Sequence, residues 1–256
     1  LEKSENREQL RVFAESITAN QYRLLEKSSV YTVENYYDNC NMVDIPANPA
    51  LTAQQNAQKY FKEYKKATNA EKLLHNLIEE GEQELIYLDT VLDNLSRANT
   101  DREITEIRDE LEKGGYIKSR KGKKPKKDKP LPPIEFKSSD GFTILVGRNN
   151  VQNDILTLKT AKNYDMWLHV QKHAGSHAVI VADKKEITET AIYEAACIAA
   201  YHSKAKDSSS IAVDYTLIKN VKKPVGAKPG KVIYNTYNTV YVTPKKELIE
   251  NLKISE

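Results

Sequence analysis

Between Thr52 and Arg97 the chain has no proline and one glycine, Gly81, while Ala57, Tyr60, Phe61, Tyr64, Leu73, Leu77, Leu85, Leu88, Leu92 and Leu95 recur mostly at three- and four-residue steps. That period predicts one uninterrupted amphipathic helix over 52–97, opened by a capping box in which Thr52 is followed three residues later by Gln55. At the α-helical rise it would be about 69 Å long. A lone apolar stripe this narrow cannot bury itself and needs a partner helix. Leu10, Phe13, Ala14, Ile17 and Leu24 predict such a partner over 6–26, but at about 31 Å it is too short to cover the returning helix. The rest of the partner is therefore expected upstream of residue 1. Between the two, 30–37 is rich in Val, Thr and Tyr, Asp38-Asn39 offers a turn, and 42–45 is a short strand candidate. The expected arrangement is an antiparallel coiled-coil arm: helix out, a small β-hairpin at the tip, helix back. A further helix over 101–113 carries Ile104, Ile107 and Leu111, and Gly114-Gly115 stops it.

The net charge of +3 conceals a segregation. Residues 1–117 carry 14 Lys/Arg against 22 Asp/Glu, residues 118–129 carry 8 against 1, and residues 130–256 carry 17 against 13. An acidic first part, a basic Lys/Pro-rich linker over 114–133 and a mildly basic second part are three different surfaces, so phosphate binding is to be sought after residue 117. The lysine run reads as a solvated tether that also scans phosphate. No apolar stretch is long enough to span a bilayer, and the first residues form no signal-peptide pattern. Cys40 and Cys197, without CxxC spacing, fit a reducing compartment and no thiolate zinc site. The cytoplasm is the expected location.

From residue 134 the texture changes to short alternating segments. Strands are expected at 134–136, 142–146, 166–170, 178–182, 210–217, 231–235 and 239–243, with helices at 149–158, 188–205 and 245–252. Sequential strands joined by tight turns predict an antiparallel or mixed sheet covered by helices. The chain as a whole is α+β, with domains at 1–113 and 134–256.

Three constellations could carry chemistry. Gly147-Arg148-Asn149-Asn150 follows a strand and opens a helix, where Arg148 adds a planar donor suited to a phosphate or a carboxylate; an ordinary capped strand-to-helix turn has the same spacing. If 166–170 and 178–182 form a hairpin, Met166, Leu168, Val170, Ala178 and Ile180 share an apolar core face. Trp167, His169, Val179 and Val181 share the other, with His177 at its rim, and Ser176 beside it in the loop counts among the candidate RNA contacts. Such a face is either a base-stacking, phosphate-contacting groove or a second buried layer under a helix. His169, His173 and His177 do not converge on a strand and loop, so no metal is expected, and Ser176 lacks a nucleophile elbow, so no hydrolase is expected. Finally, Lys219, Lys222, Lys223, Lys228 and Lys231 interleave with Tyr215, Tyr234, Tyr237 and Tyr241 and with Pro224, Gly226, Pro229 and Gly230. That pattern suits a nucleic-acid backbone with exposed bases, and equally a lysine-protected sheet edge.

In order and spacing, GRNNVQND (147–154), LTLKTA (156–161), DMWLHV (165–170), GSHAVI (175–180), AACIAAYHSKA (195–205), VDYT (213–216) and VKKPVGAKPGKV (221–232) resemble the RNA-binding domain of the NFACT family. ENYYD (34–38), IPANPAL (45–51) and QNAQKYFKEYKK (55–66) resemble its middle, coiled-coil region. One departure is Ala174, where a proline commonly precedes Gly-Ser-His, which puts the rigidity of that loop in question. The resemblance implies a non-enzymatic part of a ribosome quality-control factor, without cofactor. It would bind a stalled large ribosomal subunit, its rRNA and tRNA during untemplated C-terminal alanine tailing, while the domains that recruit most of the tRNA would precede residue 1. The family also includes proteins described as binding host fibronectin, so an anchorless surface adhesin is the alternative the resemblance implies.

Overall fold

The computed structural model describes residues 7–118 and 129–254. The lysine-rich run of the linker lies outside the described residues except at its two ends. The packing boundary falls inside the long helix, giving two compact units, Leu1–Glu82 and Gln83–Glu256.

In the first unit, α1 (Arg7–Ala19) is followed by a single 3-10 turn (Gln21–Arg23) and by a hairpin of β1 (Val30–Asn35) and β2 (Asn41–Pro46). α2 (Ala53–Arg97) begins in this unit and continues into the next. The expected capping box is present: Gln55 N donates to Thr52 Oγ1 (3.2 Å) and Thr52 N to Gln55 Oε1 (3.0 Å). α1 runs antiparallel to α2, because Ile17 packs with Ala53 and Ala57, Phe13 meets the Tyr60 ring edge-on at 5.5 Å, and Arg7 pairs with Glu71. α1 stops short of the expected residue 26 because Asn20 turns inward. Its Nδ2 donates to the Ser16 carbonyl (2.9 Å) and to the Glu34 carbonyl of β1 (3.3 Å), tying the helix end to the hairpin. β1 likewise ends at Asn35, whose side chain accepts from Tyr37 N (3.0 Å) and opens the turn that Asn39 and Cys40 complete with φ of 47° and 59°.

The leucine stripe of α2 stays open to solvent among the described residues, with Leu77 52 % and Leu85 69 % exposed. Beyond the contacts with α1, the last turns of α2 find partners: Tyr87 and Val91 pack on Ile107 of α3 (Asp101–Lys113). α3 is set by Thr100, whose side chain accepts from Glu103 N while the Glu103 carboxylate reaches back to Thr100 N.

The rest of the second unit is one six-stranded sheet. Its strands are β3 (Ile134–Lys137), β4 (Thr143–Val146), β5 (Met166–Val170), β6 (Ala178–Val181), β7 (Ile211–Leu217) and β10 (Asn238–Val242). The spatial order is β10-β7-β5-β6-β4-β3, and every neighbouring pair is antiparallel. A separate short ladder joins β8 (Val221–Lys222) to β9 (Ile233–Tyr234), less than the strand expected over 231–235. The expected β5–β6 hairpin forms with Leu168 opposite Ala178 and Met166 opposite Ile180. Leu168, Val170, Ala178 and Ile180 face α5 (Glu189–Tyr201) and α6 (Lys246–Leu252). Ala191, Ala195, Ala199 and Ala200 let α5 lie close to the sheet. On the opposite face Trp167 and Val179 pack with Leu156, Ile218 and Val221, beneath α4 (Asn150–Ile155) and the π-turn that follows it (Leu156–Thr160).

α5 ends four residues before the expected position because residues 202–204 pair with 174–176. Ser176 N donates to the His202 carbonyl (3.0 Å) and Lys204 N to the Ala174 carbonyl (2.9 Å). Only glycine fits at position 175, since a Cβ there would lie 2.9 Å from that of Ser203. Ala174 is buried and held in this pairing, so the loop is anchored without a proline.

Leu168→Ala should lower the stability of the second unit by roughly 2–5 kcal/mol, because the side chain is fully buried. Leu85→Ala, at an open position on α2, should shift it by less than about 0.5 kcal/mol. Denaturant midpoints followed by the emission of the single tryptophan test the contrast; equal midpoints would contradict this core.

Candidate nucleic-acid interface

The turn after β4 is built around Gly147. Its backbone N donates to the His177 carbonyl (3.1 Å), and a Cβ at this position would sit 2.0 Å from Asn153 Oδ1. That oxygen in turn accepts from His177 N (3.1 Å), so the glycine lets β4, α4 and the Gly-Ser-His loop meet. Asn149 caps α4 by accepting from Gln152 N (2.8 Å), and Gln152 returns the bond by accepting from Arg148 N (2.7 Å).

The anion expected at this turn is supplied by the chain itself. Glu103, Glu106 and Glu110 lie on one face of α3 at helical spacing. Arg148 Nη1 meets Glu103 Oε1 at 2.8 Å, Asn149 Nδ2 donates to Glu106 Oε2 (3.0 Å), and Asn150 Nδ2 donates to Glu110 Oε1 (3.1 Å) and to Thr90 Oγ1 (2.9 Å). Tyr87 adds a further bond to Glu110 Oε1 (2.9 Å). Burial on its own would raise the Glu103 carboxyl, but the N–H of Asn99 and the Arg148 guanidinium outweigh it and hold the group below the usual carboxylate range. Glu110 is buried more deeply, and there desolvation wins and pushes the carboxyl up.

Most of the expected lysines are also engaged. Lys223 Nζ pairs with Asp154 (2.8 Å), Lys228 Nζ with Glu84 (3.0 Å) and with the Tyr116 hydroxyl (2.6 Å), and Lys231 bonds Gln83. Ser176 Oγ accepts from Arg97 (3.2 Å) at the end of α2. Of the expected RNA-contacting set, Arg148, Asn149, Asn150, Ser176, Lys228 and Lys231 therefore hold the sheet domain to α2 and α3. Lys219 and Lys222 remain outward and exposed.

Of the two readings of the Trp167 face, the second buried layer is the one found. Trp167 is 1 % exposed, stacks on His169 at 5.8 Å, and meets His177 edge-on at 5.2 Å and Tyr234 at 4.8 Å. It offers no open platform, which corrects the groove expectation for Trp167 and His177; His169 is half-buried. The Trp167 indole N–H finds no hydrogen-bond partner among the described residues. His177 Nδ1 lies 2.7 Å from Thr157 Oγ1, and burial, reinforced by the neighbouring His169 ring, holds its pKa well below the ordinary value. Burial lowers His169 as well and takes His202 to about 3, so these rings are neutral near pH 7. His173 lies exposed on the β5–β6 loop, and no group of three metal-ligating side chains gathers among the described residues.

Two sets of residues escaped the sequence reading. One is the acidic row Glu103, Glu106 and Glu110, which was visible as an i, i+3, i+7 pattern behind a capping box. The other is Lys159, Lys162 and Tyr164, exposed beside Lys219 and Lys222.

The chain matches two NFACT profiles, that of the NFACT N-terminal and middle domains over residues 1–130 and that of the NFACT protein RNA binding domain over residues 133–236. It is 45 % identical to the Rqc2 homolog RqcH of Bacillus subtilis (strain 168), covering 100 % of this chain and 45 % of that protein. It is 40 % identical to the Rqc2 homolog RqcH of Streptococcus suis (strain 05ZYH33), covering 98 % and 45 %. The chain thus spans less than half the length of these relatives. In structure it is similar to the C-terminal part of the fibronectin/fibrinogen-binding protein from Streptococcus suis, with a TM-score of 0.73, 35 % identity, and coverage of 99 % of this chain and 89 % of that one.

Glu103→Gln should cost about 1–3 kcal/mol at pH 7 by taking the Glu103 carboxylate away from Arg148 in a poorly hydrated site. Because the folded carboxyl lies below its usual value of 4.5, the contribution is complete above that pH and disappears as pH falls through the folded value. The variant's deficit should therefore shrink in acid, and adding Arg148→Ala should add little to it. Additive, pH-independent losses would refute the pair. The Trp167 emission should be blue-shifted and protected from iodide, and remain so when RNA is added; quenching on RNA binding would restore the stacking groove.

Proposed function

This chain belongs to the NFACT family, and from that premise we propose that it supplies the RNA- and ribosome-binding part of a ribosome quality-control factor. The observation that carries this reading is the RNA-binding-domain match over residues 133–236, on a domain that keeps a lysine-bearing face open while Arg148, Lys204, Lys223 and Lys228 are paired. In this role the chain engages the stalled large ribosomal subunit and tRNA in the cytoplasm during C-terminal alanine tailing. The relatives named for such a factor are more than twice as long, so the chain is one portion of that machinery. In this reading it acts by binding, with Ser176 bonded to Arg97 and His177 to Thr157. No helix among the described residues is long and apolar enough to cross a membrane.

A second reading is favoured by one observation, the similarity to the fibronectin/fibrinogen-binding protein from Streptococcus suis. Capture of the whole chain on immobilised fibronectin after nuclease treatment would support it.

The 256-residue chain should bind tRNA and large ribosomal subunits in filter and sedimentation assays, with affinity falling by orders of magnitude between about 50 and about 200 mM salt. Undetectable or salt-insensitive binding would overturn the RNA reading.

A further inference from the structure

We propose that the exposed face formed by Lys159, Lys162, Tyr164, Lys219 and Lys222 is the surface that grips RNA, with the lysines on successive phosphates and Tyr164 as a stacking platform for a base. The inference rests on the RNA-binding reading above and assigns it to particular residues.

The five residues come from two segments that the fold locks side by side. Ile218 N donates to the Asp165 carbonyl (3.0 Å) and Lys219 N to the Asn163 carbonyl (3.3 Å), so the loop after the π-turn and the 3-10 turn after β7 (Ile218–Asn220) form one surface. Their undersides are apolar: Leu156, Ile218 and Val221 are buried against Trp167, with Ala161 packed at the margin. With the apolar positions turned inward, Lys159, Lys162, Lys219 and Lys222 are left outside, all exposed, and Tyr164 is 43 % exposed among them.

Charge balance separates this face from the basic positions that the fold already pairs. Arg148, Lys204, Lys223 and Lys228 each meet a carboxylate at 2.7–3.0 Å. None of the four lysines on the face has an ion pair with another described residue. The acid nearest in sequence, Asp165, is buried and its carboxylate accepts from the backbone N of Lys162 (2.7 Å) and Ala182 (3.0 Å), which turns it inward. Four ammonium groups without an ion pair among the described residues, with the exposed Tyr164 in the same two adjoining segments, suit a polyanion that also offers π-faces. An acidic protein would use the charges and leave the ring without a role.

The test uses the whole chain with fluorescently labelled tRNA, titrated at several salt concentrations. Replacing Lys159, Lys162, Lys219 and Lys222 together by Ala should weaken binding about a hundredfold at about 100 mM salt and lower the log–log salt slope by about 3. Replacing Lys172, Lys206, Lys245 and Lys246 removes the same charge elsewhere and should cost less than about fivefold. Tyr164→Ala should lose about tenfold, and Tyr164→Phe should retain the wild-type affinity. The single reversals Lys162→Glu and Lys219→Glu, checked for unchanged Trp167 emission, give the same answer if the quadruple variant folds poorly. Equal losses for the two quadruple variants would overturn the assigned face while RNA binding stands. Absence of tRNA binding by the wild-type chain would overturn both readings. A wild-type complex with an acidic protein that excludes tRNA would do the same.

Discussion

Three carboxylates on one face of α3 organise the second unit. Glu103 closes the capping box of its own helix and at the same time takes the Arg148 guanidinium, so one side chain sets a helix start and a tertiary contact together. Glu106 and Glu110 continue the row onto Asn149 and Asn150. Removing either partner of such a pair leaves the other poorly solvated, a cost larger than the net gain of forming it. A strand-to-helix turn with the chemistry to bind a phosphate is thereby committed to internal anions, which present the same acceptor oxygens to the same donors.

That commitment decides where binding can occur. The polar turn at 147–150, the Gly-Ser-His loop and the lysines at 228 and 231 are used in joining the sheet domain to the end of α2 and to α3. The sheet offers no free face either, since alternation on β5 and β6 sends Leu168 and Ile180 to one buried layer and Trp167 and Val179 to another. Burial holds His169, His177 and His202 neutral, so these three bring no charge to a polyanion. Of the basic candidates in these stretches, Lys219 and Lys222 stay exposed, at the end of the sheet where the turns after α4 and β7 are short and lysine-bearing. Exposed cations there add long-range attraction without competing for an internal partner.

A good deal of this was legible in advance. The proline-free leucine stripe, the hairpin between the helices, the capping box at Thr52, and the face assignment of the β5–β6 hairpin all follow from local period and punctuation. The misplaced ends share one cause. α1 stops at Asn20 and α5 at Tyr201 because partners distant in the chain take their last polar groups, and a local pattern does not record such partners.

Period, glycine placement and family motifs were enough, from the residues alone, to settle the α+β architecture, the long helix and the kinship. They also narrowed the RNA-contacting candidates to a dozen positions, six of them Lys or Arg. Which of those cations would be left available was fixed only when the chain folded. Ion pairing depends on whichever carboxylate arrives within about 3 Å, and Glu103 reaches Arg148 from 45 residues away. Charge is written locally, whereas its neutralisation is a contact between distant segments.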